Sequence, residues 1–286
     1  MKVLISATFC TKLNNFHRNS VLSSLLSETP LPFPIQAEES DKGRPRHLTP
    51  AETNDKLSLM NKDRVQLFDE WPGAYDRWFT TPIGSLVRKY ETELIMKLLN
   101  PEEGEIILDA GCGTGIFTLD ILMSGSKVIG LDLSLPMLKG AERKLRGYPF
   151  QPVLADMLEL PFPESFFDKA ISVTAVEFIR DGKAAVGELF RVTKRGGCIV
   201  VATLNSLSPW ALRRRAEAKE RHSIFEKAIF RSPDELRSLD PAASAVETAI
   251  HFQKEDDPRR AVEIEQEGKR KHLNTGAFVA VRWEKK

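Results

Sequence analysis

Ile106-Ile107-Leu108-Asp109-Ala110-Gly111-Cys112-Gly113-Thr114-Gly115-Ile116-Phe117-Thr118 decides the architecture of the chain. Three apolar residues lead into a carboxylate, Asp109, and glycines then stand at the alternate positions 111, 113 and 115. A strand of this kind enters a turn that has to stay open. Glycine has no Cβ, so it accepts positive φ and lets a ligand lie against backbone N–H groups, while the following helix offers unpaired donors of its own. The turn is built to hold a small polar molecule.

Spacing narrows the choice. A dinucleotide loop places its last glycine two residues further on, beneath the pyrophosphate, but this chain has Phe117 there. No Lys followed by Ser or Thr completes a phosphate-gripping loop. Lys127-Val128-Ile129-Gly130-Leu131-Asp132 is a second apolar strand ending in an acid, about twenty residues on, and its carboxylate can accept from both hydroxyls of a ribose. Ser134 is placed to cap the next helix, with Pro136 in its first turn and Gly147 at its end.

The segment Asp109-Ala110-Gly111-Cys112-Gly113-Thr114-Gly115 resembles the first motif of the class I S-adenosylmethionine-dependent methyltransferases, in their small-molecule, type 11-like branch. Three later segments fit the same family in order. These are the strand ending in Asp132, the stretch Val153-Leu154-Ala155-Asp156-Met157, and Ser165 to Val173 with its aromatic-Asp start. The resemblance spans roughly residues 68–204. It implies S-adenosyl-L-methionine as cofactor, bound by Asp109, Gly111, Cys112, Gly113, Gly115, Asp132, Leu133, Asp156, Met157 and Thr174, with Tyr75 on a lid; it implies no metal. For Tyr75 the plainer reading, packing of the first helix on the sheet with Trp78 and Phe79, stands equally open.

The fold expected is α/β: a Rossmann-like, doubly wound, seven-stranded and mostly parallel sheet with the last strand antiparallel, an N-terminal helical lid and a helical insertion after the fifth strand. Leu86, Val87, Tyr90, Leu94, Ile95 and Leu98 share a helical face that Asn100-Pro101 ends. Residues 187–195 read as an amphipathic helix stopped by Gly196-Gly197, and Cys198 to Thr203 as a buried strand. Residues 1–60 are expected to be a flexible extension and 61–286 the methyltransferase domain, with a cofactor core at 100–204, a helical substrate-side insertion at 205–243 and a closing strand pair at 244–286. Residues 253–274, densely charged, read as a loop, and His251 as a half-buried strand residue.

The chain has 286 residues, a net charge of +1 and three cysteines, Cys10, Cys112 and Cys198, far apart in sequence. No global field recruits nucleic acid, no cysteine pair suggests a disulfide or thiolate metal site, and no apolar run reaches the ~20 residues of a membrane span. A cytoplasmic protein with a small-molecule acceptor is expected. Residues 1–27, basic and without acids, also suit an organelle transit peptide, or a leader before a start at Met60. Arg213-Arg214-Arg215 with Lys219 and Arg221 is a basic patch interrupted by Glu217 and Glu220, which reads as a solvated face or a contact for a substrate anion.

Methyl transfer from a sulfonium needs alignment more than covalent help, so a general base is optional. The family's amide- and adenine-methylating members carry Asn or Asp before two prolines and an aromatic after the fourth strand; here Thr174-Ala175-Val176-Glu177-Phe178 occupies that place. Glu177, His222 and His251 can be named as bases, and none is assigned. A methyltransferase-like binding or assembly subunit is the rival reading.

Overall fold

The computed structural model describes Phe68, residues 76–221 and residues 224–286, without the side chains of 219–221. Tyr75, His222, the extension expected over residues 1–60 and most of the expected lid lie outside the described residues. Seven strands form one sheet in the order β3-β2-β1-β4-β5-β7-β6: β1 Ile106–Ala110, β2 Lys127–Asp132, β3 Phe150–Leu154, β4 Phe167–Val173, β5 Thr193–Leu204, β6 Ala243–Ala249 and β7 Phe278–Glu284. The first five run parallel, and β7 is inserted antiparallel between β5 and β6. Strand order reverses between β1 and β4, the switch point outside which doubly wound sheets bind ligands.

The two-residue alternation of the strands builds a core on each face. Ile107, Val128, Ile171, Val200 and Phe278 point to one layer, covered by α1 Pro82–Leu99, α2 Thr118–Met123, α3 Leu135–Lys144 and α7 Pro258–Arg270. Leu108, Ile129, Ala170, Ile199 and Val279 point to the other, covered by α4 Gly182–Val192 and the short α6 Pro233–Arg237. Between β5 and β6 the chain also forms α5 Pro209–Arg221, so the insertion is helical as expected. None of the described helices is long and apolar enough to cross a membrane.

Caps follow the sequence closely. The Thr81 side chain accepts from the Gly84 amide with Pro82 at the first helical position, and Asn100 ends α1 in the left-handed region at φ 44°. Ser134 accepts from Met137 N, and Ser232 with Glu235 forms a reciprocal capping box.

Three expectations need correction. Gly196 and Gly197 do not stop α4. That helix ends at Val192, where Thr193 turns extended and its hydroxyl donates to Leu189 O at 2.7 Å, and both glycines lie within β5. They serve the strand, since a Cβ on Gly197 would come within 2.2 Å of Asp168 O. Residues 253–274 are not a loop but contain α7, capped by Asp257, with Ala261, Glu265 and Gly268 on its buried face. His251 lies beyond β6, and Gly268 is the glycine that makes room for its ring: a Cβ there would sit 2.2 Å from His251 Cγ.

Candidate active site

The glycine turn is fixed by hydrogen bonds to β2. Gly111 N and Cys112 N both donate to Leu131 O, at 2.6 and 3.0 Å, and Gly113 N donates to Oδ2 of Asp132 at 2.8 Å. Asp132 Oδ1 accepts from Ser134 N at 2.8 Å, so one carboxylate ties the turn to the start of α3. The glycines have separate reasons. Gly111, at φ 82°, packs on the turn after β4, where a Cβ would meet Ala175 Cβ at 2.3 Å. Gly115, at φ 74°, backs onto Leu145 and does not line the cavity. Gly113, at φ 55°, has nothing within 4 Å of a built Cβ, which leaves an open cradle.

That cradle opens on a cavity of about 1160 Å³. Asp109, Gly111, Cys112, Gly113, Asp132, Leu133, Asp156, Met157 and Thr174 all line it. Asp109 is buried and takes a 2.6 Å hydrogen bond from the Thr118 hydroxyl, yet burial pushes its pKa up to about 7, helped by the neighbouring charge of Asp132. Two acids around an open backbone cradle suit a ligand with a cationic end, and the ammonium and sulfonium of S-adenosylmethionine meet that requirement. Asp156 Oδ1 holds the loop after β3 by accepting from Leu158 N at 3.0 Å. Cys112 is buried with its thiol pKa raised well above the ordinary value, first by burial, so it is an inert filler of the turn. Thr174 has φ 48°, unusual for a β-branched residue; its amide donates to Ala202 O at 2.8 Å.

Other groups complete the site. Asp76 Oδ1 accepts from Thr114 Oγ1 at 2.7 Å, and Lys144 Nζ reaches Asp76 Oδ2 at 2.9 Å, so the segment before α1 is latched to the glycine turn. The far wall is aromatic, with Phe68, Trp78, Phe79, Phe178, Trp210 and Phe225. Arg214 lies 5.3 Å from the Trp210 ring centre and 5.0 Å from that of Phe225, so the basic patch of the sequence stacks over this wall instead of forming only a solvated face. Two buried carboxylates, Glu91 from α1 and Glu177 from the turn Val176–Phe178, also line the cavity. Burial pushes their pKa values up to about 8 and about 7, against the opposing pull of Arg214. Glu91 went unnoticed in the sequence, although an acid between Tyr90 and Leu94 on the apolar face of a helix was its signal.

Residues 108–201 match the family model of the methyltransferase domain. The chain is 32% identical to the malonyl-[acyl-carrier protein] O-methyltransferase of Serratia marcescens, over 51% of this chain and 54% of that one. It is also 32% identical to the demethylmenaquinone methyltransferase of Corynebacterium kroppenstedtii, over 53% and 65% of the two chains. The chain thus spans about half the length of the first of these relatives and somewhat more of the second. In fold it resembles a methyltransferase structure from Thermotoga maritima described as a possible histamine N-methyltransferase, with a TM-score of 0.56 and 23% identity over 78% of this chain and 100% of that one. Strand order, glycine turn and these likenesses agree: residues 108–201 match the methyltransferase domain family, and the fold is that of S-adenosylmethionine-dependent methyltransferases.

Proposed function

We propose that this protein transfers a methyl group from S-adenosylmethionine to a small-molecule acceptor by in-line displacement. The observation that carries the reading is the single cavity of about 1160 Å³ that runs from the glycine turn, Asp132 and Asp156 to an aromatic wall. Cofactor and acceptor both fit such a space.

Asp109 with the open cradle at Gly113 would hold the methionine end, Asp132 the ribose hydroxyls, and Asp156 with Met157 the adenine, while Thr174 would stand beside the methyl group. The bound cofactor supplies an electrophilic methyl carbon on a cationic sulfur. The protein's contribution is then alignment and exclusion of water, which supplies several kcal/mol when the reacting atoms are held at ~3–3.5 Å. Asp132 serves both purposes, since it orders the turn before it meets a ligand.

Calorimetry with S-adenosylhomocysteine tests the cofactor assignment, and binding of NADH in its place would overturn it. Incubation with isotopically labelled S-adenosylmethionine and a metabolite extract, followed by mass spectrometry, identifies the acceptor. A stable protein complex without any labelled product would favour the assembly-subunit reading.

A further inference from the structure

Glu177 is fully buried, lines the cavity, and neither carboxylate oxygen makes a well-formed hydrogen bond in the protein, although the backbone at Glu177 and Leu204 and the charges of Arg214 and Arg231 favour its ionised form. A buried, unsatisfied carboxylate is among the costliest groups a fold can carry. The turn that bears it is nevertheless held firmly. Arg231 donates to Val176 O at 3.0 Å and to Ile179 O at 3.1 Å, and Ile229 N donates to Glu177 O at 2.7 Å. Gly182 permits the Arg231 clamp, because a Cβ there would lie 2.7 Å from its Nη2. Arg231, one of two arginines whose charge acts on Glu177, thus spends these hydrogen bonds on the backbone of the turn and makes none to the carboxylate. Ala175, two residues earlier, abuts Gly111, so the turn adjoins the cradle for the methyl donor.

We propose that Glu177 receives the hydrogen of the acceptor's nucleophilic hydroxyl, and that the acceptor is an uncharged hydroxylated compound with an aromatic or similarly flat apolar body. This rests on the methyl-transfer reading above. Charge narrows the class: the cavity is lined by both signs, Glu91 and Glu177 on one side of the balance and Arg213, Arg214, Lys227 and Lys254 on the other, so neither a cation nor an anion finds surroundings of one opposite sign. A neutral hydroxyl avoids this conflict and satisfies the open oxygens. Trp78, Trp210 and Phe225 supply flat apolar surface for the rest of the molecule.

In the step, the acceptor oxygen forms a bond to the methyl carbon as the carbon–sulfur bond breaks, and that electron pair stays on sulfur to give the neutral thioether. The hydroxyl proton passes to the Glu177 carboxylate and later to water. Sulfonium and carboxylate charges cancel on the left, and methyl ether, thioether and carboxylic acid are neutral on the right.

The test uses two probes of nearly equal shape, 4-phenylphenol and 4-fluorobiphenyl, measured by equilibrium dialysis with and without S-adenosylhomocysteine. At pH 8, above the Glu177 pKa of about 7, the wild type is expected to prefer the phenol roughly tenfold or more, as a hydrogen bond to a charged acceptor confers. Glu177→Met should abolish the preference while S-adenosylhomocysteine affinity stays within about twofold; Glu177→Gln, nearly isosteric, should keep the fold and part of the preference. Equal binding of the probes by the wild type, or a preference that survives in Glu177→Met, overturns the proposal. Failure of S-adenosylhomocysteine to bind the wild type would instead sink the methyl-transfer reading, and the probe ratio would still report on Glu177.

Discussion

Gly113 N donates to Oδ2 of Asp132 at 2.8 Å, so the glycine turn after β1 and the acid at the end of β2 form one hydrogen-bonded unit. Asp132 also accepts from Ser134 N at 2.8 Å. A carboxylate held by two backbone amides is already oriented before any ligand arrives, and the entropy of ordering it is not charged to binding.

Asp132→Ala should therefore weaken S-adenosylhomocysteine binding by more than the loss of one ligand contact, on the order of a hundredfold by calorimetry. Asp132→Asn, which keeps an acceptor oxygen, should fall between the two. Equal affinity of Asp132→Ala and wild type would remove Asp132 from the cofactor site.

Gly111→Ala meets two obstacles at once, a φ of 82° and a contact of 2.3 Å with Ala175 Cβ. It should lower stability by roughly 2 kcal/mol or more, read as a drop in thermal midpoint. The double variant with Ala175→Gly should recover only part of the loss, because the backbone strain persists. Gly113→Ala has the strained φ but no contact within 4 Å, so its damage should appear chiefly in cofactor affinity.

Glu177 offers a pH test of its burial. Its pKa is raised from 4.5 to about 7, so the folded state binds a proton that the unfolded state releases, and stability falls as pH rises from about 4.5 to about 7 and is level above. Glu91, raised to about 8, extends the decline. Glu177→Gln should consequently gain thermal stability over wild type between pH 5 and pH 8, by roughly 5 °C. A difference that does not change with pH would show that Glu177 is charged and well solvated.

The latch of Asp76 on Thr114 and Lys144 is half exposed, with the Asp76 and Lys144 side chains 38% and 28% accessible. Asp76→Ala should cost at most about 1 kcal/mol of stability. Its effect should fall on exchange: stopped-flow dissociation of S-adenosylhomocysteine should quicken by roughly tenfold, since the segment leading into Trp78 and Phe79 loses its tie to the glycine turn.

Strong local periodicities were legible from residue order. Strands β1 and β2 and residues 198–204 of β5 are nearly continuous apolar runs because both of their faces are covered, and Ser134 acts locally as a cap. α7 escaped because its buried face consists of Ala261, Glu265 and Gly268, which carry no hydrophobic signal. They face inward only because His251 and α1 come up against them, with Glu265 accepting from His251 N at 2.7 Å and Lys269 reaching Glu93 at 3.3 Å. The glycines at 196 and 197 misled for a similar reason: a glycine that ends a helix and one that lets a neighbouring strand pass look the same in sequence.

By itself, the sequence determined one half of the cavity, because the glycine turn and the acids at 109, 132 and 156 sit at or just after strand ends whose spacing is set by local structure. Only the tertiary structure decided the other half of the cavity. Glu91, Glu177 and Arg214 are 37 to 123 residues apart along the chain and come together only when α1, the turn after β4 and α5 converge over one sheet edge. Their chemistry is set by burial and by one another's charge, and neither can be read from the order of residues.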